Sequence, residues 1–142
     1  IAAGATHSLA VTANGDVLAW GSNHHGQLGR PGPAFSTVPV RVDLPERTRS
    51  VAAGMHFSLA LGRSGQIYTW GWNAQGQLGL GDTEDRRVPT RVPRLSRSDA
   101  IAAGETHAAA LTSDGLLGWG NNAGGQVGTA DRRQTQPTLL MA

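Results

Sequence analysis

The side chains with chemistry to offer in this 142-residue sequence are five histidines, four tryptophans and 12 basic residues, all of them arginine. Cysteine is missing, so neither a disulfide framework nor a thiolate metal site is available. Serine, histidine and aspartate all occur. Yet no nucleophile elbow, no HExxH pair and no Gly-rich phosphate loop leading into a helix assembles them. Zinc would need several histidines to converge. No catalytic, cofactor-binding or metal-binding residue is assigned, and an enzyme is not expected. What remains is recognition. The candidates for contact with a partner are Trp72, the adjacent His24 and His25, and two arginine pairs, Arg86 with Arg87 and Arg132 with Arg133.

Charge and composition narrow the partner. The basic residues nearly balance 10 acidic ones, leaving a net charge of +2, a small field. The pI near 10.4 arises mainly because arginine does not titrate near neutrality, so it does not argue for nucleic acid. No apolar run reaches membrane-spanning length, and the start IAAGATHSLA lacks a basic leader segment. No membrane partner is expected, and a cytoplasmic location is favoured. The length suits one domain, and 39% apolar residues suffice for a core. The 20 glycines imply many tight turns, which favours an all-β chain.

An internal repeat positions the candidates. IAAGATHSLAVTANG begins at Ile1, VAAGMHFSLALGRSG at Val51 and IAAGETHAAALTSDG at Ile101. WGSNHHGQLG starts at Trp20, WGWNAQGQLG at Trp70 and WGNNAGGQVG at Trp119, and VPVRV, VPTRV and QPTLL follow around Pro39, Pro89 and Pro137. The repeats run approximately over 1–48, 49–98 and 99–142, and the chain reads as a single segment. Within each repeat IAA or VAA is a strand of small residues suited to a crowded axis. HSLAVT alternates with strand period, ANGD, RSGQ and SDGL mark hairpins, and VLAW, IYTW and LLGW are third strands. The last strand contains Pro, which cannot donate to a ladder and belongs on an edge. A small four-stranded sheet repeated at this period is a propeller blade. The fold expected is an all-β propeller segment of three blades, an incomplete ring.

Comparing the three copies separates framework from site. His7 and His107 occupy one repeat position, filled by Phe57 in the second copy, where His56 sits one place earlier. A position that accepts Phe serves packing, so His7→Phe is expected to be tolerated. Trp20, Trp70 and Trp119 recur and are read as packing blade against blade. Trp72 has Ser22 and Asn121 as equivalents, so no blade requires it, and it is expected to be more exposed than the other three. Asn23, Asn73 and Asn122 are read as turn residues that tolerate left-handed backbone. Gln27, Gln77 and Gln126 are read as ties between blades. His24 and His25 lie in a turn where the other copies have Ala74, Gln75 and Ala123, Gly124, and exposure is expected. The arginine pairs share their loops with Glu84, Asp85 and Asp131, a mixed-sign rim or a surface for an acidic partner.

These motifs resemble the regulator of chromosome condensation repeat family. Its repeat runs from Ala-Ala-Gly-x-x-His-Ser through Trp-Gly-x-Asn and Gly-Gln-Leu-Gly-x-Gly to Pro-x-x-Val. The resemblance covers essentially the whole chain and implies four-stranded blades, usually in a closed ring of seven. The first copy departs from it between Arg30 and Thr37, and the third is shortened. The resemblance implies functions as varied as nucleotide exchange on a small GTPase, chromatin binding, tryptophan-based ultraviolet sensing, inhibition of secreted β-lactamases and interaction domains. The ultraviolet receptors carry Trp followed by Arg in this turn, whereas Trp72 is followed by Asn73.

The reading these features support is a binding scaffold for a protein partner, with regulation of a small GTPase as the alternative. Three blades should also leave an apolar face bare at each end, carrying Leu9, Val11 and Val17 at one and Leu111 and Leu117 at the other. Such faces exceed what a monomer tolerates and imply self-association or completion by other blades. The opening of Ile1 directly on an inner strand fits a fragment of a larger propeller.

Overall fold

The computed structural model describes residues 1–142 and contains twelve β-strands in three separate four-stranded sheets. The first blade is β1 (Ala2–Ala3), β2 (His7–Val11), β3 (Val17–Ser22) and β4 (Phe35–Val42). The second is β5 (Thr48–Ala53), β6 (Phe57–Gly62), β7 (Ile67–Gly71) and β8 (Arg86–Arg91). The third is β9 (Ser98–Ala103), β10 (His107–Thr112), β11 (Gly115–Asn121) and β12 (Arg133–Met141). Strands pair antiparallel and in chain order within each blade, and no sheet closes on another. This is the expected arc of propeller blades. No helix is long and apolar enough to cross a membrane.

The recurrent glycines and prolines have specific jobs. Gly21, Gly71 and Gly120 follow the tryptophans with φ of 104°, 106° and 101°, a region L side chains avoid. Gly4, Gly54 and Gly104 serve contact instead: the ring of His7, Phe57 or His107 lies across the bare Cα of its own repeat's glycine. Gly54→Ala would drive a methyl group into the Phe57 ring, and a loss of about 1–3 kcal/mol is expected from denaturant unfolding. The edge prolines sit at irregularities. The β3–β4, β7–β8 and β11–β12 ladders each slip opposite the tryptophan, and Pro39, Pro89 and Pro137 fall in the looped-out residues, where no ladder donor is missed.

Two apolar clusters hold the arc together, one at each seam between blades. Leu9, Val17, Ala19, Leu28 and Val42 pack with Ala60, Tyr68 and Trp70 at the first. Phe57, Leu59, Leu61, Ile67, Leu78 and Val92 pack with Ala108, Ala110 and Trp119 at the second. Leu9 and Val17 are therefore seam residues, fully covered, Val11 packs onto the first seam and Leu117 onto the second. This corrects the expectation that these side chains line the open ends. Strand alternation predicts two faces but not which of them meets the following blade. The open face of the first blade carries Ser8, Ala10, Leu18 and Trp20, all half-buried, whose equivalents Ser58, Ala60, Tyr68 and Trp70 are buried. At the far end Leu111 is 49% and Leu116 38% exposed, where Leu61 and Ile67 are fully covered.

Candidate functional site

Each seam is locked by the carbonyl of a glutamine. The Trp70 Nε1–H donates to the Gln27 carbonyl at 2.9 Å, and the Trp119 Nε1–H to the Gln77 carbonyl at 2.9 Å. The glutamine amides act differently from the expected interblade tie: Gln27 and Gln77 Oε1 accept from their own turns, at the His25 and Gln75 amides. Trp70 and Trp119 are buried, as expected. Trp20, whose face meets neither of the other two blades, is only half-buried.

The recurring histidine position completes the lock. His7 Nε2 lies 2.9 Å from Ser58 Oγ, whose hydroxyl donates to the same Gln27 carbonyl at 2.9 Å. Ser58 has one proton and has committed it, so His7 Nε2 must carry the proton that joins them. Burial, and then the nearby His56, lower the His7 pKa to about 4. At the second seam Phe57 and Ala108 replace His7 and Ser58, an apolar pair for a polar one. The role is structural in both.

The asparagines are also framework, by another route than expected. None has positive φ. Asn73 instead accepts from the Leu78 amide at 3.0 Å and donates to the Asp82 and Glu84 carbonyls, pinning the whole loop before the outer strand. Asn23 and Asn122 do the same in their blades. The side chain, not the backbone angle, explains their recurrence.

With the shared residues assigned, three of the unshared ones gather in one place. The Trp72 amide bonds to the His56 carbonyl at 2.9 Å, a link each blade makes, through Ser22 and Thr6 in the first and Asn121 and Thr106 in the third. This register sets Trp72 beside His56. From the first blade's turn His25 reaches across the seam and stacks on His56, with ring centroids 5.2 Å apart and planes 29° apart. Trp72 closes the triangle at 5.5 Å from His25 and 5.8 Å from His56. Asp85 braces it: Oδ1 accepts from the Asn73 amide at 2.9 Å, and Oδ2 lies 3.4 Å from His25 Nδ1. All three rings are half-buried. Burial and the proximity of His25 hold the His56 pKa below its usual value.

Trp72 and His25 thus meet, while His24 is exposed beside them. The arginines divide. Arg86 grips Asp82 at 2.7 Å, lowering the Asp82 pKa, and Arg87 donates across the seam to the His24 carbonyl at 3.1 Å. Arg133 reaches the Ala74 carbonyl at 3.3 Å, while the Arg132 side chain is exposed and makes no ion pair. His56 is the residue that comparison of the copies left aside. It carried the same signal as Trp72, because its equivalents are Thr6 and Thr106. No group of three His, Cys, Asp or Glu side chains is placed to hold a metal.

Sequential four-stranded sheets, small inner strands and tryptophan-locked seams define an arc of a β-propeller. Within that class the chain belongs to the Regulator of chromosome condensation (RCC1) repeat family, which matches residues 14–61 and 64–111, and in a second form 49–77 and 99–126. Yeast RCC1 (Prp20), solved bound to Kap60, is 27% identical over 99% of this chain, with a TM-score of 0.89, and 36% of that chain is covered. Human WBSCR16 is 30% identical over 97% of this chain, with a TM-score of 0.85 and 38% of its own chain covered. Prp20p from Saccharomyces cerevisiae, described with its binding to Gsp1p and histones, is 28% identical over 99% of this chain, at a TM-score of 0.87. It is covered over 37% of its length, so this chain spans little more than a third of these structures.

Proposed function

We propose that this chain is a non-enzymatic protein–protein interaction scaffold, with its contact face formed by Trp72, His25 and His56 at the first seam. The observation that carries this reading is the gathering of unshared side chains at one half-buried place, while shared ones are spent on seams and turns. A tryptophan flanked by imidazoles is a rigid aromatic anchor of the kind that dominates interface energetics. His24 and Arg132 add exposed polar contacts; Arg86, Arg87 and Arg133 act through the loops they hold. One propeller segment over 1–142, with repeats near 1–48, 49–98 and 99–142, and self-association through its open ends belong to the same reading.

Regulation of a small GTPase is the second reading, favoured by the Gsp1p binding of Prp20p. The two are separated by titrating the chain and its Trp72→Ala variant against Gsp1p and against histones, while following nucleotide release from Gsp1p. The scaffold reading expects one of these proteins to bind, Trp72→Ala to weaken it by at least about tenfold, and nucleotide release to stay at its basal rate. Accelerated release would transfer the assignment to GTPase regulation. Failure of both proteins to bind, or binding indifferent to Trp72, would remove the contact face.

A further inference from the structure

We infer that the cavity beside the outer strands at the second seam is a docking site for a phenol side chain flanked by a carboxylate, presented by a partner protein. It lies at the seam that Trp72 does not touch, and both its walls belong to this chain. Its volume is about 370 Å³. Leu80, Pro93, Arg94 and Leu95 line it from the second blade and the turn after β8, and Leu117 and Pro137 line it from the third blade. Leu80, Leu95 and Leu117 are half-buried and pack onto the seam cluster.

The first seam shows what such a place accepts. There the position of Leu117 is held by Tyr68, which is buried and whose hydroxyl donates to Glu46 Oε2 at 2.8 Å. At the second seam Leu117 has no ring, and Ser96 stands in the place of Glu46, its hydroxyl committed to Asp114. The second seam thus lacks both the phenol and the carboxylate that the first supplies from its own blades. The matching crevice at the first seam carries Arg30 and Asp43, charges of both signs, where the second has Leu80 and Pro93. Tyr68 does not line that crevice, whereas Leu117 lines its counterpart.

Arg94 sets the charge of the occupant. It is the single non-glycine residue with positive φ, at 61°. Leu44 packs onto the first seam and Leu95 onto the second, one repeat position apart, and the left-handed turn at Arg94 absorbs the offset. The turn leaves Arg94 exposed at the edge of the cavity with no ion pair, and no carboxylate lines the cavity. A guanidinium pairs with a carboxylate through its fork of donors and stacks on aromatic faces. Pro93 and Pro137 offer rings for contact and no N–H, so the occupant enters as a side chain and not as an added strand.

The test follows the leucine methyl signals of the chain by NMR while three small probes are added. They are para-hydroxyphenylpropionate, tyramine, which has the same phenol with an ammonium, and isocaproate, which has the carboxylate without the ring. The first is expected to shift Leu80, Leu95 and Leu117 with a Kd of about 1 mM, and the other two to bind at least about fivefold more weakly. Arg94→Gly keeps the left-handed turn, because glycine accepts that angle, and is expected to bind para-hydroxyphenylpropionate and tyramine equally. Leu117→Tyr places this chain's own phenol in the cavity, as Tyr68 does at the first seam, and is expected to abolish binding with an unchanged far-ultraviolet CD spectrum. No shift at the three leucines, equal binding of any two probes by wild type, or a preference that survives Arg94→Gly overturns the inference. None of these outcomes bears on Trp72, so the contact face at the first seam stands or falls separately.

Discussion

Trp70→Ala is expected to lower the free energy of unfolding by about 3–5 kcal/mol, and Trp72→Ala by far less. Trp70 is fully buried at the first seam, in contact with the turn glycine Gly29 and bonded to the Gln27 carbonyl. Its loss opens a cavity in the apolar packing between the two sheets. Trp72 has solvent on one side and two imidazoles on the other, and its amide keeps the blade register whatever the side chain. Denaturant unfolding of the two variants measures the difference. Equal losses would mean that Trp72 is a core residue, and its role as a contact anchor would be withdrawn.

Acidification from pH 7 to pH 4 is expected to cost the wild-type chain about 3 kcal/mol at His7 alone. Burial holds its folded pKa at about 4, against 6.5 in the unfolded chain. Between these values the unfolded state binds the extra proton, so stability is full above pH 6.5, falls through the window and levels near pH 4. A separation of this size corresponds to about 3 kcal/mol. Protonation would give His7 a second N–H in a place where Nδ1 has no partner. His56, also lowered, adds in the same direction. The depressed carboxylates Asp82 and Glu46 act lower, losing their contribution as pH falls below the usual carboxylate range. The His7→Phe variant isolates the effect. At neutral pH it gives up one hydrogen bond to Ser58, about 1 kcal/mol, and its stability is then expected to be flatter between pH 6.5 and 4. Parallel pH profiles for wild type and variant would show that His7 is not the titrating group.

The strands and their order were legible because they depend on neighbours in sequence. Alternation in HSLAVT, the hairpin residues and the edge prolines each act within one blade, and the structure places them as read. Comparison of the copies also separated Trp72 from the buried Trp70 and Trp119, though not from Trp20, which is half-buried as Trp72 is. What escaped it depends on contacts between blades. The face of a strand that meets the following sheet is not encoded in its period, and so Leu9 and Val17 were placed at an end although they lie in a seam. Recurrence showed that asparagine and glutamine are needed, but not which atom is used. For asparagine it is the amide that pins a loop, and for glutamine the carbonyl that accepts an indole. The Trp72 cluster was half legible: Trp72 and His25 each stood out, but their meeting over His56 needs the seam that brings two blades together.

The strands of each blade follow one another directly along the chain, and this has a consequence for how the molecule opens. Pairing of near neighbours closes short loops and forms readily, whereas the seams join segments far apart and form afterwards. The middle blade, whose β6 and β7 are buried throughout, is held by a seam on each side. In such an array a seam opens before the sheets beside it lose their own pairing. A ligand on His25, His56 and Trp72 bridges the first blade to the second. It would thus fasten that seam, making recognition at that face and closure between the two blades a single equilibrium.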